Sequence, residues 1–259
     1  MRIPIVQVDA FTSRVFRGNP AAVCCLDRWL DDATLQSIAA ENNLSETAFL
    51  VGGQGEYEIR WMTPLSEVDL CGHATLASAF VLLGAAEKHR DEVVFRSRSG
   101  ELRVRRDGDL LTLDFPSRPP QSVTATDDLV EGLGRPPREV WAARDYLAVF
   151  DSEDEVRALA PDFGRLARVD RFAVIVTAPG RQVDFVSRFF APKQGIPEDP
   201  VTGSAHCTLV PYWSRRLGKK RLHAVQVSAR EGELFCEDRG ERVAISGRAV
   251  RYLQGTIEI

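Results

Sequence analysis

Arg60-Trp-Met-Thr-Pro64 followed by Asp69-Leu-Cys-Gly-His-Ala-Thr75 is matched by Arg188-Phe-Phe-Ala-Pro192 followed by Asp199-Pro-Val-Thr-Gly-Ser-Ala205. Each stretch reads as a strand, a loop and the start of a helix. Downstream, Gly100-Glu-Leu102 with Gly108 pairs with Gly232-Glu-Leu234 with Gly240. The registers agree: Gly72 to Gly203 is 203 − 72 = 131 positions, and Gly100 to Gly232 is 232 − 100 = 132. A weaker match upstream, Arg17-Gly-Asn-Pro-Ala-Ala-Val23 with Arg144-Asp-Tyr-Leu-Ala-Val149, lies at a shift of 144 − 17 = 127. Self-similarity at a fixed spacing means one supersecondary unit written twice.

Working outward, Ile3–Phe11 and Pro20–Leu26 read as strands, Asp31–Asn42 as a helix begun by an acidic cap, and Glu46–Val51 and Tyr57–Met62 as strands. Residues 93–98, 101–106 and 109–115 alternate as a meander, with Asp107-Gly108 as a hairpin turn. His73–Leu83 is apolar on nearly every face, which suits a helix enclosed by strands and not one lying on a surface. Pro211 interrupts the matching helix, so a kink or a shortened helix is expected there. The pattern stops around Pro116, Pro119 and Pro120, dividing the chain into residues 1–117 and 118–259, with the last strand free to return to the first domain. The expected fold is α+β, with two similar half-domains, each a mostly antiparallel sheet wrapped around a central helix, related by pseudo-two-fold symmetry.

Composition limits the partners. With 259 residues, 44% of them apolar, the chain can bury a substantial core. A net charge of −4 offers no basic surface for nucleic acid. No run approaches the roughly 20 apolar residues of a membrane span, and the N-terminus lacks a secretory stretch, so a cytoplasmic protein is expected. Cys24, Cys25, Cys71, Cys207 and Cys236 are odd in number and lack the paired spacing of a zinc site or a disulfide framework. Free thiols and no metal follow.

The chemistry concentrates at the two helix starts, Cys71-Gly72-His73 and Thr202-Gly203-Ser204, which pseudo-two-fold packing brings to a common cleft. A helix N-terminus offers unpaired N–H groups and partial positive charge, and glycine lets a ligand approach closely. One glycine alone marks only a helix start; two in register suit a small carboxylate-bearing substrate. Glu46 precedes the apolar run 47–51, an odd place for a carboxylate unless it is exposed or serves acid/base work. Asp199 is either a turn residue before proline or part of the site, and Asp69 and Cys71 both compete as its counterpart in the first copy. His73, in the first turn, is either a core histidine or a ligand-facing one, and the helix end disfavours its protonation. Cys71 is either a small buried residue or a thiolate favoured by the helix start.

Asp9-Ala-Phe-Thr12, Gly18-Asn-Pro20, Asn43-Leu-Ser-Glu-Thr-Ala-Phe49, Glu67-Val-Asp-Leu-Cys-Gly-His-Ala-Thr75 and Glu198-Asp-Pro-Val-Thr-Gly-Ser-Ala205 together resemble the PhzF-type, phenazine-biosynthesis-like isomerases, whose fold is that of diaminopimelate epimerase. The resemblance implies a homodimer with no metal or organic cofactor. It implies that Glu46 moves a proton between carbons, that His73, Asp199 and Ser204 surround the substrate, and that amides near Gly72 and Gly203 bind its carboxylate. The related epimerases place a cysteine at each helix start; here only Cys71 stands, opposite Asp199, and Cys207 lies inside the helix. An epimerase or racemase using Cys71 with a carboxylate, and a catalytically silent small-acid binder, are the competing readings.

Overall fold

The computed structural model describes residues 1–259, which divide into two compact units, Met1–Asp114 with Ser246–Ile259, and Phe115–Ile245. The first unit opens with β1 (Arg2–Ala10) and β2 (Asn19–Leu26), then α1 (Asp32–Asn42), β3 (Glu46–Gly53), β4 (Glu56–Met62) and the short β5 (Glu67–Val68). α2 (Gly72–Gly84) follows, and then the meander β6 (Glu92–Ser97), β7 (Gly100–Asp107) and β8 (Leu110–Pro116). β2 and β3 run parallel across α1, β3 and β4 antiparallel, and β4 and β6 parallel across α2.

Local chemistry accounts for these elements. Asp31 caps α1 by accepting from the Thr34 backbone N–H at 2.9 Å, a contact of about 1 kcal/mol, and Asn43 ends the helix in the left-handed region at φ 47°. One side of α1 buries Leu35, Ile38 and Ala39 against Ile5, Cys24, Phe49 and Met62. α2 packs on β1, β2, β3, β6 and β7, and ten of its 13 residues are buried, from Gly72 through Ala79 without a break. That is the enclosed helix its all-round apolar sequence requires.

The second unit repeats the plan with a different insert. β9 (Gln121–Ser122) and α3 (Asp127–Leu133) lead to β10 (Glu139–Ala142) and β11 (Tyr146–Val149). Two short helices, α4 (Glu153–Ala158) and α5 (Phe163–Leu166), stand where the first unit has α1. β12 (Val174–Pro179), β13 (Phe185–Ala191), β14 (Ile196–Asp199), α6 (Gly203–Leu217), β15 (Arg221–Gln226), β16 (Gly232–Asp238) and β17 (Arg242–Gly247) complete the order. β11 and β12 are parallel, β12 and β13 antiparallel, and β13 and β15 parallel, as in the first unit. The core gathers Leu129, Val140, Tyr146, Val156, Val174 and Phe190. Trp213 of α6 stacks on Phe185 and donates from Nε1 to Thr177 Oγ1 at 2.9 Å. β18 (Ala249–Glu258) then returns to the first unit and pairs antiparallel with β1.

Pro211 does not shorten α6, which runs for 15 residues against 13 in α2. A proline there leaves the carbonyl of Cys207, four residues back, without its helical donor. The backbone N–H of Arg118 supplies a replacement at 2.8 Å. No helix of the protein is long and apolar enough to cross a membrane. All five cysteines are free thiols.

Candidate active site

Bidentate arginine pairs fix how the two copies correspond. In the first unit Arg60 of β4 grips Glu67 of β5 at 2.8 and 2.7 Å; in the second, Arg188 of β13 grips Glu198 of β14 at 2.7 and 2.9 Å. The neighbouring strand pairs are Trp61 with Val68 and Phe189 with Asp199. Val68, therefore, and neither Asp69 nor Cys71, is the counterpart of Asp199. On the other side of each arginine strand, Arg60 pairs with Phe49 and Arg188 with Val176. Three residues back from each lie Glu46 and Ala173, so Glu46 has no acidic counterpart. The parallel pairs Ala22 with Thr47 and Tyr146 with Val174 set the upstream shift at 146 − 22 = 124, replacing the value of 127 read from sequence.

Glu46, Cys71 and His73 converge. Glu46 opens β3, Cys71 is the residue before α2, and His73 is in the first turn of that helix; their residue exposures are 8%, 5% and 4%. Glu46 Oε2 lies 3.0 Å from His73 Nε2, both side chains being buried. Cys71 Sγ sits 3.5 Å from Nδ1 and 4.0 Å from Nε2 of the same ring. Asn19 Nδ2–H donates to Nδ1 at 3.1 Å, which places the proton of a neutral ring on Nε2, facing Glu46. Gly18 delivers Asn19 there: at φ +66° a Cβ would stand 2.1 Å from the Ala10 carbonyl oxygen, so only glycine fits.

The electrostatics run opposite to the expectation from the helix end alone. Burial works against charge on His73, but negative charge at Cys71 and Glu46 and hydrogen bonds to both raise its pKa well above the usual histidine value. Burial, reinforced by the Glu46 charge, pushes the Cys71 thiol up to about 11. Of the two readings open for Cys71, a small buried residue or a thiolate, burial favours the first.

The second unit assembles a different set. Asp199, 8% exposed, accepts from Thr202 Oγ1 at 2.5 Å on Oδ2. Gln226 donates from Nε2 to the Asp199 carbonyl at 2.7 Å and accepts the Thr202 N–H on Oε1 at 2.8 Å. His206 Nδ1–H donates to the Thr202 carbonyl at 2.9 Å, and burial lowers its pKa to about 4. Ser204 accepts from Arg144 at 3.4 Å, with the guanidinium held by buried Asp145 and laid over the Phe172 ring. α1, α3, α4 and α5 each receive a side-chain cap from Asp31, Thr126, Ser152 and Asp162. α2 and α6 receive none, because Cys71 is no acceptor of note and the Thr202 hydroxyl is turned to Asp199.

A family model described as phenazine biosynthesis-like protein, PhzC-PhzF, matches residues 8–255. The chain belongs to the PhzC-PhzF family. An isomerase of Pseudomonas aeruginosa, described as uncharacterized, is 55% identical over the whole of both chains. The crystal structure of a PhzF-family protein from Enterococcus faecalis superposes with a TM-score of 0.97 at 46% identity, covering 100% of each chain. A hydroxyproline epimerase from Agrobacterium vitis shares the fold, with a TM-score of 0.65 at 11% identity over 99% of this chain and 92% of that one. The protein is a PhzF-type isomerase, and its architecture is the diaminopimelate epimerase-like one.

This isomerase keeps Glu46, Cys71, Gly72 and His73 together in one unit and Asp199, Gly203 and Ser204 in the other. Sequence reading missed Asn19, Thr202, Gln226 and His206 as members of these networks. The first two stand inside the quoted motifs Gly18-Asn-Pro20 and Asp199-Pro-Val-Thr202, which was the available signal. Gln226 and His206 carried none, since they reach Thr202 from a distant strand and from the next helical turn.

Proposed function

We propose that this isomerase shifts a proton on a small carboxylate-bearing substrate, amino acid-like or cyclic, without a cofactor. Glu46 is the general acid/base, His73 shares its proton, Asp199 and Ser204 address the substrate, and the first-turn amides at Gly72 and Gly203 bind its carboxylate. The observation that carries this reading is the Glu46–His73 pair, buried and oriented by Asn19, at the start of a helix with no side-chain cap. A carboxylate beside an imidazole that accepts or returns its proton can serve as base and acid in turn. Two helix starts lacking side-chain caps leave N–H groups suited to an anion.

The alternative, a two-base epimerase with Cys71 as one base, asks a thiol whose pKa is about 11 to ionise near neutrality. The one-carboxylate reading needs no such step. The proposal includes a cytoplasmic homodimer, to be checked by light scattering at assay concentration. The deciding experiment follows hydrogen exchange between solvent deuterium and a turned-over substrate drawn from a panel of amino and hydroxy acids. Glu46→Gln should abolish exchange while binding persists; full exchange in that variant would overturn the role.

A further inference from the structure

Spacing in the sequence gives no metal motif, yet the fold builds a donor set from a strand and a helix start. One oxygen of Glu46, one nitrogen of His73 and the sulfur of Cys71 all lie within 4.8 Å of one another, and all three residues are buried. Oxygen, imidazole nitrogen and sulfur together are the ligands of zinc-type ions, with bonds of about 2.0, 2.1 and 2.3 Å in a tetrahedral arrangement. A tetrahedral ion bonded to Nε2 would set nitrogen and oxygen about 3.4 Å apart and nitrogen and sulfur about 3.6 Å apart. The corresponding separations here are 3.0 and 4.0 Å, and all three ligand atoms lie within 4.8 Å of one another, so rotation of the Cys71 and Glu46 side chains closes the set on an ion. Three protein ligands leave the fourth position open, as in sites that admit water or another ligand.

Two further observations favour this set. Glu46 Oε2 is buried without an aligned donor, so a lone pair faces the ring nitrogen. A ligating histidine needs its other ring nitrogen to donate to an oxygen. Asn19 is already 3.1 Å from Nδ1 and, by turning its amide over, presents Oδ1 in place of Nδ2. The second unit offers no equivalent, since Val68 and Asp199, and Glu46 and Ala173, are not alike.

We propose that Glu46, Cys71 and His73 form a site for one thiophilic divalent cation of the zinc type, which displaces the proton held between His73 and Glu46. On binding, the Cys71 thiol gives its proton to solvent and its sulfur bonds to the metal. The His73 Nε2 proton is replaced by the metal while Nδ1 carries the remaining ring proton to Asn19; a second proton reaches solvent when the ring starts fully protonated. No electrons are transferred. Binding itself is independent of the acid/base reading of Glu46. Only its consequence, loss of proton exchange, rests on that reading.

The test titrates metal-stripped full-length protein with Zn2+ by calorimetry, and with Cd2+ by ultraviolet absorption, where a cadmium–thiolate bond gives a charge-transfer band. One equivalent per chain should bind, with at least one proton released, measured in two buffers of different ionisation enthalpy. Cys71→Ser should remove the band, Cys71→Ser and Glu46→Gln should each weaken Zn2+ by about 100-fold or more, and Asn19→Leu by about 10- to 100-fold. Glu46→Gln conserves volume and serves if the cysteine variant fails to fold, as judged by circular dichroism. No saturable binding, or a band surviving in Cys71→Ser through Cys24, Cys25, Cys207 or Cys236, overturns the site. Zinc that binds as expected but leaves exchange untouched overturns the role of Glu46 and leaves the site standing.

Discussion

The β3–α2 corner of the first unit and the β14–α6 corner of the second are built on one backbone plan and carry opposite polar designs. In the first, an ionisable cluster of Glu46, His73 and Cys71 faces inward with Asn19 as its only side-chain amide. In the second, neutral groups dominate: Thr202 donates to the Asp199 carboxylate, Gln226 to the Asp199 backbone carbonyl, and His206 to the carbonyl of Thr202. His73 is raised by its charged neighbours, whereas His206, one turn into α6, is lowered by burial. Duplication preserved the arginine–glutamate struts and the uncapped helix starts, and divergence reassigned the side chains that carry protons. The difference teaches that a doubled frame can equip its two ends differently, with a buried ionisable cluster at one and a fixed carboxylate at the other.

The comparison breaks most visibly at Glu46. Glu46→Gln should cut exchange by about 1,000-fold, the range of a general acid/base, with little change in thermal stability. An effect below tenfold would make the two corners functionally alike.

His206 sharpens the contrast through stability. The folded chain keeps this ring neutral down to about pH 4, while the unfolded chain protonates it near 6.5. Between those values the unfolded state binds the extra proton, so stability present above pH 6.5 is lost as pH falls toward 4. The full loss is about 3 kcal/mol. Chemical denaturation across this window should lose that dependence in His206→Gln, and an unchanged profile would contradict the assignment.

Smaller effects follow. Thr202→Val removes the hydroxyl donor from Asp199 and should lower exchange by about tenfold, mainly in turnover, without altering the fold. Cys71→Ala should lower exchange by no more than about fivefold, since a neutral thiol supplies packing and a neighbour, not a base. Inactivity of Cys71→Ala would revive the two-base reading.

Much of this was legible in the sequence, for identifiable reasons. The Asp31 cap, the Asp107-Gly108 turn and the all-apolar stretch 73–83 report local physics, and the structure places a capped helix, a hairpin and an enclosed helix there. Register is not local: that Val68 corresponds to Asp199, and Ala173 to Glu46, emerges only when strands pair and Arg60 and Arg188 find their glutamates. The burial of Glu46 was undecided because its exposure depends on what covers the start of β3. The protonation of His73 was misread because the helix end was weighed and the carboxylate 3.0 Å away was invisible. That α6 keeps its length through Pro211 was equally out of view, the donor at Arg118 lying 207 − 118 = 89 positions from the carbonyl it satisfies.

The returning strand β18 bears on the order in which the molecule is made. β1 lies between β2 and β18, so one of its edges is closed by residues 249–258. The rest of its unit is complete by Asp114, which is 249 − 114 = 135 residues earlier. At a synthesis rate of about 5–20 residues per second, that edge waits roughly 7–27 s for its partner. The unit begun first is thus finished last, after the whole second unit has left the ribosome. An unpaired strand edge recruits whatever β-structure is near. The nascent chain is most exposed to mispairing in this interval, and a truncation that spares every residue of the two polar corners but removes the last ten would leave that edge open permanently.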